Sequence, residues 1–204
     1  METKLAKVIS YLFHPLFIPT YAFLLMFAQK SYLAYRIPFS SKLILIFMVV
    51  SLTLFLPLIL IYFLKKWNVI KDLNMEDKED RIFPYVIYAV FYYSNFHLFS
   101  SLQLPIIYSL FMLGATIISI FALIINFWWK ISIHMLAIGG LTAMFFSISI
   151  LYEIQILYLI LLLFFISGLV GFARLRLSSH KQFQVYFGFV AGFLIMLVTF
   201  FASS

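Results

Sequence analysis

Long apolar runs, each closed by a short cluster of charged or turn residues, organise the chain from end to end. Seven of them approach the ~20 residues that a helix needs to cross a bilayer. They fall at about 8–29, 42–64, 84–101, 105–127, 132–150, 154–173 and 181–202, and each is read as a helix. Pro15 and Pro19 predict a kink or a late start in the first. Only Gln103-Leu104-Pro105 separates the third from the fourth, which predicts a hairpin-like turn. The expected fold class is all-α: a polytopic transmembrane helical bundle of six to seven spans. Residues 1–204 are expected to form a single integral membrane domain, with a motif-bearing core from about 65 to 204.

Composition sharpens this picture by exclusion. The 204 residues are 65% apolar and 10% charged, against about 45–50% and about 25% in a soluble domain. A water-soluble globule, a disordered chain, a collagen-like repeat and a disulfide scaffold are all excluded. With no cysteine, thiolate catalysis and sulfur-ligated metal are excluded too. The basic Met1–Lys7 stretch runs into an apolar segment without a small-residue cleavage site, and is read as the start of a retained first span.

Charge then sorts the loops. Fourteen Lys and Arg against seven Asp and Glu give +7. In a membrane protein such an excess anchors loops to anionic lipid, so no nucleic-acid partner is expected. Alternating spans put the amino terminus, 65–83, 128–130 and 174–180 on one face, and 30–41, 102–105 and 151–153 on the other. Eleven of the 14 cations lie on the first face, and six against three remain when Lys78, Arg81, Lys130, Arg174 and Lys181 are set aside. The positive-inside rule therefore turns the first face to the cytoplasm of a cell (inner) membrane.

Candidate chemistry collects on that same face. Lys78-Glu79-Asp80-Arg81, Lys130-Ile131-Ser132-Ile133-His134 and Arg174-Leu175-Arg176-Leu177-Ser178-Ser179-His180 each stand where an apolar helix begins or ends. One such loop reads as an interfacial anchor, because Lys, Arg and Trp commonly flank membrane helices. Three together suit a phosphate group: arginine forks match its oxygens, and histidine serves as nucleophile or proton carrier. If helical, His180, Gln184, Gly188 and Gly192 share one face. Gln184 would then hydrogen-bond the His180 ring, and the two glycines would let a neighbouring helix approach closely. His14 and His97 have no charged neighbours and are read as packed or interfacial. Asp72, Glu76 and Asp80 recur every four residues, as in a Mg²⁺-diphosphate site. The only later acid is Glu153 on the opposite face, so a solvated acidic face is expected instead.

These residues resemble the type-2 phosphatidic-acid phosphatase superfamily of integral membrane lipid phosphatases. Its last motif is Ser-Arg, five residues, His, three residues, Asp; Ala173-Arg174, His180 and Gln184 keep that spacing, with Ser and Asp replaced. Its middle motif, Pro-Ser-Gly-His, is matched by Ser132 and His134 in Ile131-Ser132-Ile133-His134. Its first, Lys, six residues, Arg-Pro, keeps Arg81, but position 74 is Asn and the proline has moved to Pro84.

The resemblance implies a phosphatase that needs no metal or cofactor and acts on a membrane lipid phosphate through phosphohistidine. His180 would attack phosphorus and His134 would protonate the leaving alkoxide. Arg81, Arg174 and Lys78 or Lys130 would hold the phosphate oxygens, with Lys71 the other substitute for the missing lysine. Ser132 would donate to a phosphate oxygen. His134, His180, Arg81 and Arg174 are therefore expected around one phosphate-sized space. Two other readings follow from the departures: an inactive relative that binds anionic headgroups, suggested by Gln184, and an intramembrane prenyltransferase using the 72–80 acids.

Overall fold

The computed structural model describes residues 2–71, 78–102 and 104–203. Among them there is no strand, and ten α-helices follow one another: α1 Glu2–Leu12, α2 Ile18–Ala28, α3 Tyr32–Tyr35, α4 Phe39–Val50, α5 Leu56–Lys66, α6 Ile82–Ser101, α7 Ile106–Asn126, α8 Ile133–Leu151, α9 Leu157–Arg176 and α10 Gln182–Phe201. Among the described residues six helical stretches are long and apolar enough to cross a membrane: Glu2–Ala28, Phe39–Lys66, Ile106–Asn126, Ile133–Leu151, Leu157–Arg176 and Gln182–Phe201. The chain is an all-α, polytopic integral membrane bundle. The expected span at 84–101 is present as α6, but its tyrosines, serines, Asn95 and His97 leave it outside those six.

Proline shapes two of the stretches. The first is broken at His14, where Pro15 opens a 3₁₀ turn, Pro15–Phe17, before the helix restarts at Ile18. The Phe39–Lys66 stretch stays continuous through a π turn, Ser51–Phe55, in which the Leu56 N–H reaches back to the Ser51 carbonyl. Pro57 follows immediately and has no N–H to give, so the widened turn absorbs the interruption.

The chain divides into two compact units, Met1–Ile18 with Lys130–Ser204, and Pro19–Trp129. In the first, α8 is the buried centre, with α9 and α10 packed on it and α1 on α9. Glycines set the α8–α10 spacing. A methyl group at Gly192 would collide with the Leu136 carbonyl, one at Gly139 with that of Phe189, and one at Gly188 would lie 3.0 Å from the Ser132 carbonyl oxygen. Small residues at such crossings let backbones meet where lipid supplies no hydrophobic drive. Buried hydroxyls are mostly absorbed within their own helix: Thr142, Ser167 and Thr199 donate to the carbonyls of Ile138, Leu163 and Ile195. In an apolar medium an unpaired hydroxyl is costly, so this back-bonding is the expected resting state of a serine or threonine in a span.

In the second unit α6 pairs with α7, and Phe23, Phe27, Phe99, Tyr108 and Phe111 build an aromatic core with ring centroids 5.4–6.3 Å apart. Asp80, expected on a solvated acidic face, is instead buried, and its Oδ1 accepts the Lys71 N–H at 2.9 Å. A buried carboxylate must have a partner, and a loop amide supplies it here. Asp72 and Glu76, the other members of that expected face, lie outside the described residues.

Candidate active site

Three helix ends of the first unit carry the polar side chains. Arg174 stands in the last turn of α9, His134 in the first turn of α8, and His180 just ahead of α10. The link between α9 and α10 explains how His180 returns to Arg174. Ser178 takes a left-handed backbone, φ 52°, its N–H bonds the Leu175 carbonyl, and the Ser179 N–H bonds the Arg174 carbonyl. This pair of bonds is a Schellman closure, here with serine where glycine is usual. The left-handed conformation costs a non-glycine residue roughly 1–2 kcal/mol, and the tight reversal it makes leaves His180 buried at the mouth of the next helix.

The amino-terminal segment joins them. Arg174 Nη1 donates to the Ser10 hydroxyl at 2.7 Å. His134 Nε2 lies 3.2 Å from the Ser10 carbonyl oxygen and 3.4 Å from its hydroxyl. The His14 ring meets His134 edge-on, centroids 5.2 Å apart at 85°, while its Nδ1 accepts the Leu16 N–H and caps the 3₁₀ turn. At the far end of α1, Glu2 pairs with Arg176 at 3.0 Å. That pair is exposed and contributes little by itself. His180, His14 and Arg174 are all near enough to His134 to act on it electrostatically.

Among the described residues, the buried polar atoms of this cluster without a hydrogen-bond partner include His134 Nδ1 and the Ser132 hydroxyl. Ser132 is fully buried and precedes α8 at the N-cap position, yet its hydroxyl makes no capping bond. It differs in this from the span hydroxyls that back-bond. The N-terminus of α8 offers partial positive charge beside them, and with Arg174 the arrangement suits an anion.

The other expected site residues have defined places. Lys130 is half-buried in the stretch leading to Ser132. Gln184 is buried in the first turn of α10, and its Oε1 accepts the Lys181 N–H at 2.8 Å. It therefore caps α10, a use that the expected bond to His180 did not foresee, and His180 itself precedes the helix instead of sharing its face. Arg81 and Lys78 belong to the second unit. Arg81 lies close enough to the Tyr85 hydroxyl to act on it electrostatically. The Lys78 ammonium donates to the Trp128 carbonyl at 2.9 Å, and the Lys78 carbonyl accepts from Asn126 at 2.7 Å, so this lysine ties its loop to the end of α7. The structure thus brings three of the four expected convergent residues together within one unit, and adds Ser10 and His14.

No family model matches the chain, and neither a curated protein nor a solved structure matches it.

Proposed function

We propose that the chain is an integral membrane lipid-phosphate phosphatase, cleaving a phosphomonoester or diphosphate through a phosphohistidine on His180. The observation that carries this reading is the hydrogen-bonded chain Arg174–Ser10–His134, with the unpartnered His134 Nδ1 and Ser132 hydroxyl buried beside it. Those groups hold one arginine fork, one hydroxyl and one ring nitrogen ready for a phosphate, with a second histidine within electrostatic reach. Arg174 and Ser132 bind the oxygens, His180 attacks phosphorus and His134 carries the proton. The excess of cations on the loop face supports a cell-membrane location with the site turned to the cytoplasm.

Gln184 favours a second reading, an inactive relative that binds anionic headgroups: its amide oxygen is spent on the α10 cap, and the side chain brings no charge to His180. Phosphate release from a panel of detergent-solubilised lipid phosphates, with and without chelator, separates them. Release that survives chelator is expected, and binding without release favours the second reading.

Ser10 offers a finer test. Ser10→Ala removes the hydroxyl that holds Arg174, and hydrogen bonds to charged groups contribute about 1.5–3 kcal/mol. Turnover is expected to fall by about ten- to a hundredfold, with Ser10→Thr recovering most of it. An alanine variant as active as the parent would show that Arg174 needs no such hold.

A further inference from the structure

We propose that His134 works from the Nε2–H tautomer, with its bare lone pair at Nδ1, and that the lipid phosphate is turned over as its singly protonated form, whose own proton passes through Nδ1 to the leaving oxygen. The proposal rests on the phosphatase reading and adds the ionic form of the substrate and the source of the proton.

Geometry sets the tautomer. Nε2 meets the Ser10 carbonyl oxygen at 3.2 Å and the Ser10 hydroxyl at 3.4 Å; a backbone carbonyl only accepts, so the shorter contact assigns the hydrogen to Nε2. Nδ1 of the neutral ring is then an acceptor, and it is buried with no donor facing it. A buried acceptor without a donor is costly, and a ligand carrying an O–H satisfies it. A phosphomonoester dianion has no such hydrogen; the monoanion has one. The groups that act on His134 from its surroundings are Arg174 on α9, His14 ahead of the 3₁₀ turn and His180 ahead of α10. Among the described residues none of these is a carboxylic acid that would supply the proton in place of the substrate.

The step balances without any further reagent. The monoanion R–O–PO₃H⁻ gives its proton to Nδ1 as the neutral His180 ring nitrogen attacks. The N–P bond forms, the P–O bond to the lipid breaks, and the departing oxygen takes the proton from Nδ1. Lipid alcohol and a phosphoimidazolium remain, with unchanged net charge. In the second step Nδ1 accepts a proton from the attacking water and returns it to the phosphate, which leaves as dihydrogen phosphate while His180 is regenerated.

The test uses the full chain in detergent micelles, with dioctanoyl phosphatidate and its phosphorothioate analogue as probes. The second ionisation of a phosphate ester falls near pH 6, and that of the thio ester lies lower. kcat/KM for phosphatidate is expected to fall tenfold per pH unit above about pH 7, with the same limb displaced to lower pH for the thio ester. A limb at one pH for both probes belongs to the enzyme and overturns the proposal, as does a flat profile; in either case the phosphatase reading stands. No release of phosphate at any pH overturns the phosphatase reading instead. The tautomer is read separately from ¹⁵N-histidine spectra, with His134 assigned by its loss in His134→Gln. A protonated Nε2 and bare Nδ1 are expected, and the opposite pattern removes the proposal's geometric basis.

Discussion

Replacing His180 with alanine is expected to abolish both turnover and any acid-labile phosphoenzyme. The ring sits buried at the return of a tight reversal, next to the Arg174 turn, and nothing in the first unit duplicates a histidine at that point. His14 and His134 are the nearby rings: one caps the 3₁₀ turn through Nδ1, and the other bonds the Ser10 carbonyl through Nε2 and keeps Nδ1 for the proton. His134→Ala leaves the nucleophile in place, so a slowed reaction is expected, by about 10²–10⁴ for loss of a positioned proton carrier. Arg174→Lys keeps the charge but loses the planar fork that bonds the Ser10 hydroxyl and, in the proposed reaction, would hold a phosphate oxygen, and is expected to be nearly as severe as alanine. Burst experiments with radiolabelled lipid phosphate read the phosphoenzyme directly. A His180→Ala protein that still accumulates it, with parent turnover, would move the nucleophile to another residue.

Much of the bundle was legible because crossing a bilayer leaves so large a mark on a sequence. Six of the seven expected spans return as long apolar helices, and the break at His14-Pro15 falls where a missing N–H forces it. The Gly188 and Gly192 spacing also spoke for close helix approach, and both glycines lie against the backbone of the α8 segment. His134, Arg174 and His180 stood out for a related reason: polar side chains at the ends of spans are few, and each needs a partner or a task.

What the sequence concealed depends on contacts far apart in the chain. Ser10 is one more serine in a short amphipathic helix, and only the packing of α1 on α9 delivers it to Arg174, 164 residues away. His14, read as packed or interfacial, is indeed half-buried, but the ring it packs against is His134. Gln184 shows how a spacing misleads. Four residues reach from His180 to Gln184 along a helix, yet the helix starts only at Gln182, after the left-handed turn at Ser178. With Lys181 at the N-cap, where a capping box has Ser or Thr, nothing in the sequence marked Gln184 as the side chain that reaches back to the N-cap amide. Asp80 was misjudged in the same way, since a carboxylate in a charged loop gives no hint that a backbone amide nine residues earlier will bury it.

Gly192→Ala is expected to cause the largest loss of stability of any single methyl group in the first unit. The added carbon would meet the carbonyl oxygen, carbonyl carbon and Cα of Leu136, all backbone, so no side chain can swing aside and α8 and α10 must separate. Overpacking of a well-filled interior costs typically about 1–3 kcal/mol and occasionally more, and the upper end is expected where both partners are helix backbone. In water part of that loss is softened by other apolar contacts, but between spans association rests on packing itself. Gly168→Ala is the matched control. It lies on α9 with nothing within 4 Å of the new methyl group, so it should gain helix propensity of roughly 0.5–1 kcal/mol and lose no packing. Thermal unfolding in detergent should therefore move the two variants in opposite directions. The separation also reaches the site, because α8 carries His134 and the start of α10 carries His180. Folded Gly192→Ala should lose turnover out of proportion to its folded fraction, while Gly168→Ala keeps it. If both variants melt with the parent, the close α8–α10 crossing is not what holds this unit together, and the convergence of its two histidines has lost its structural cause.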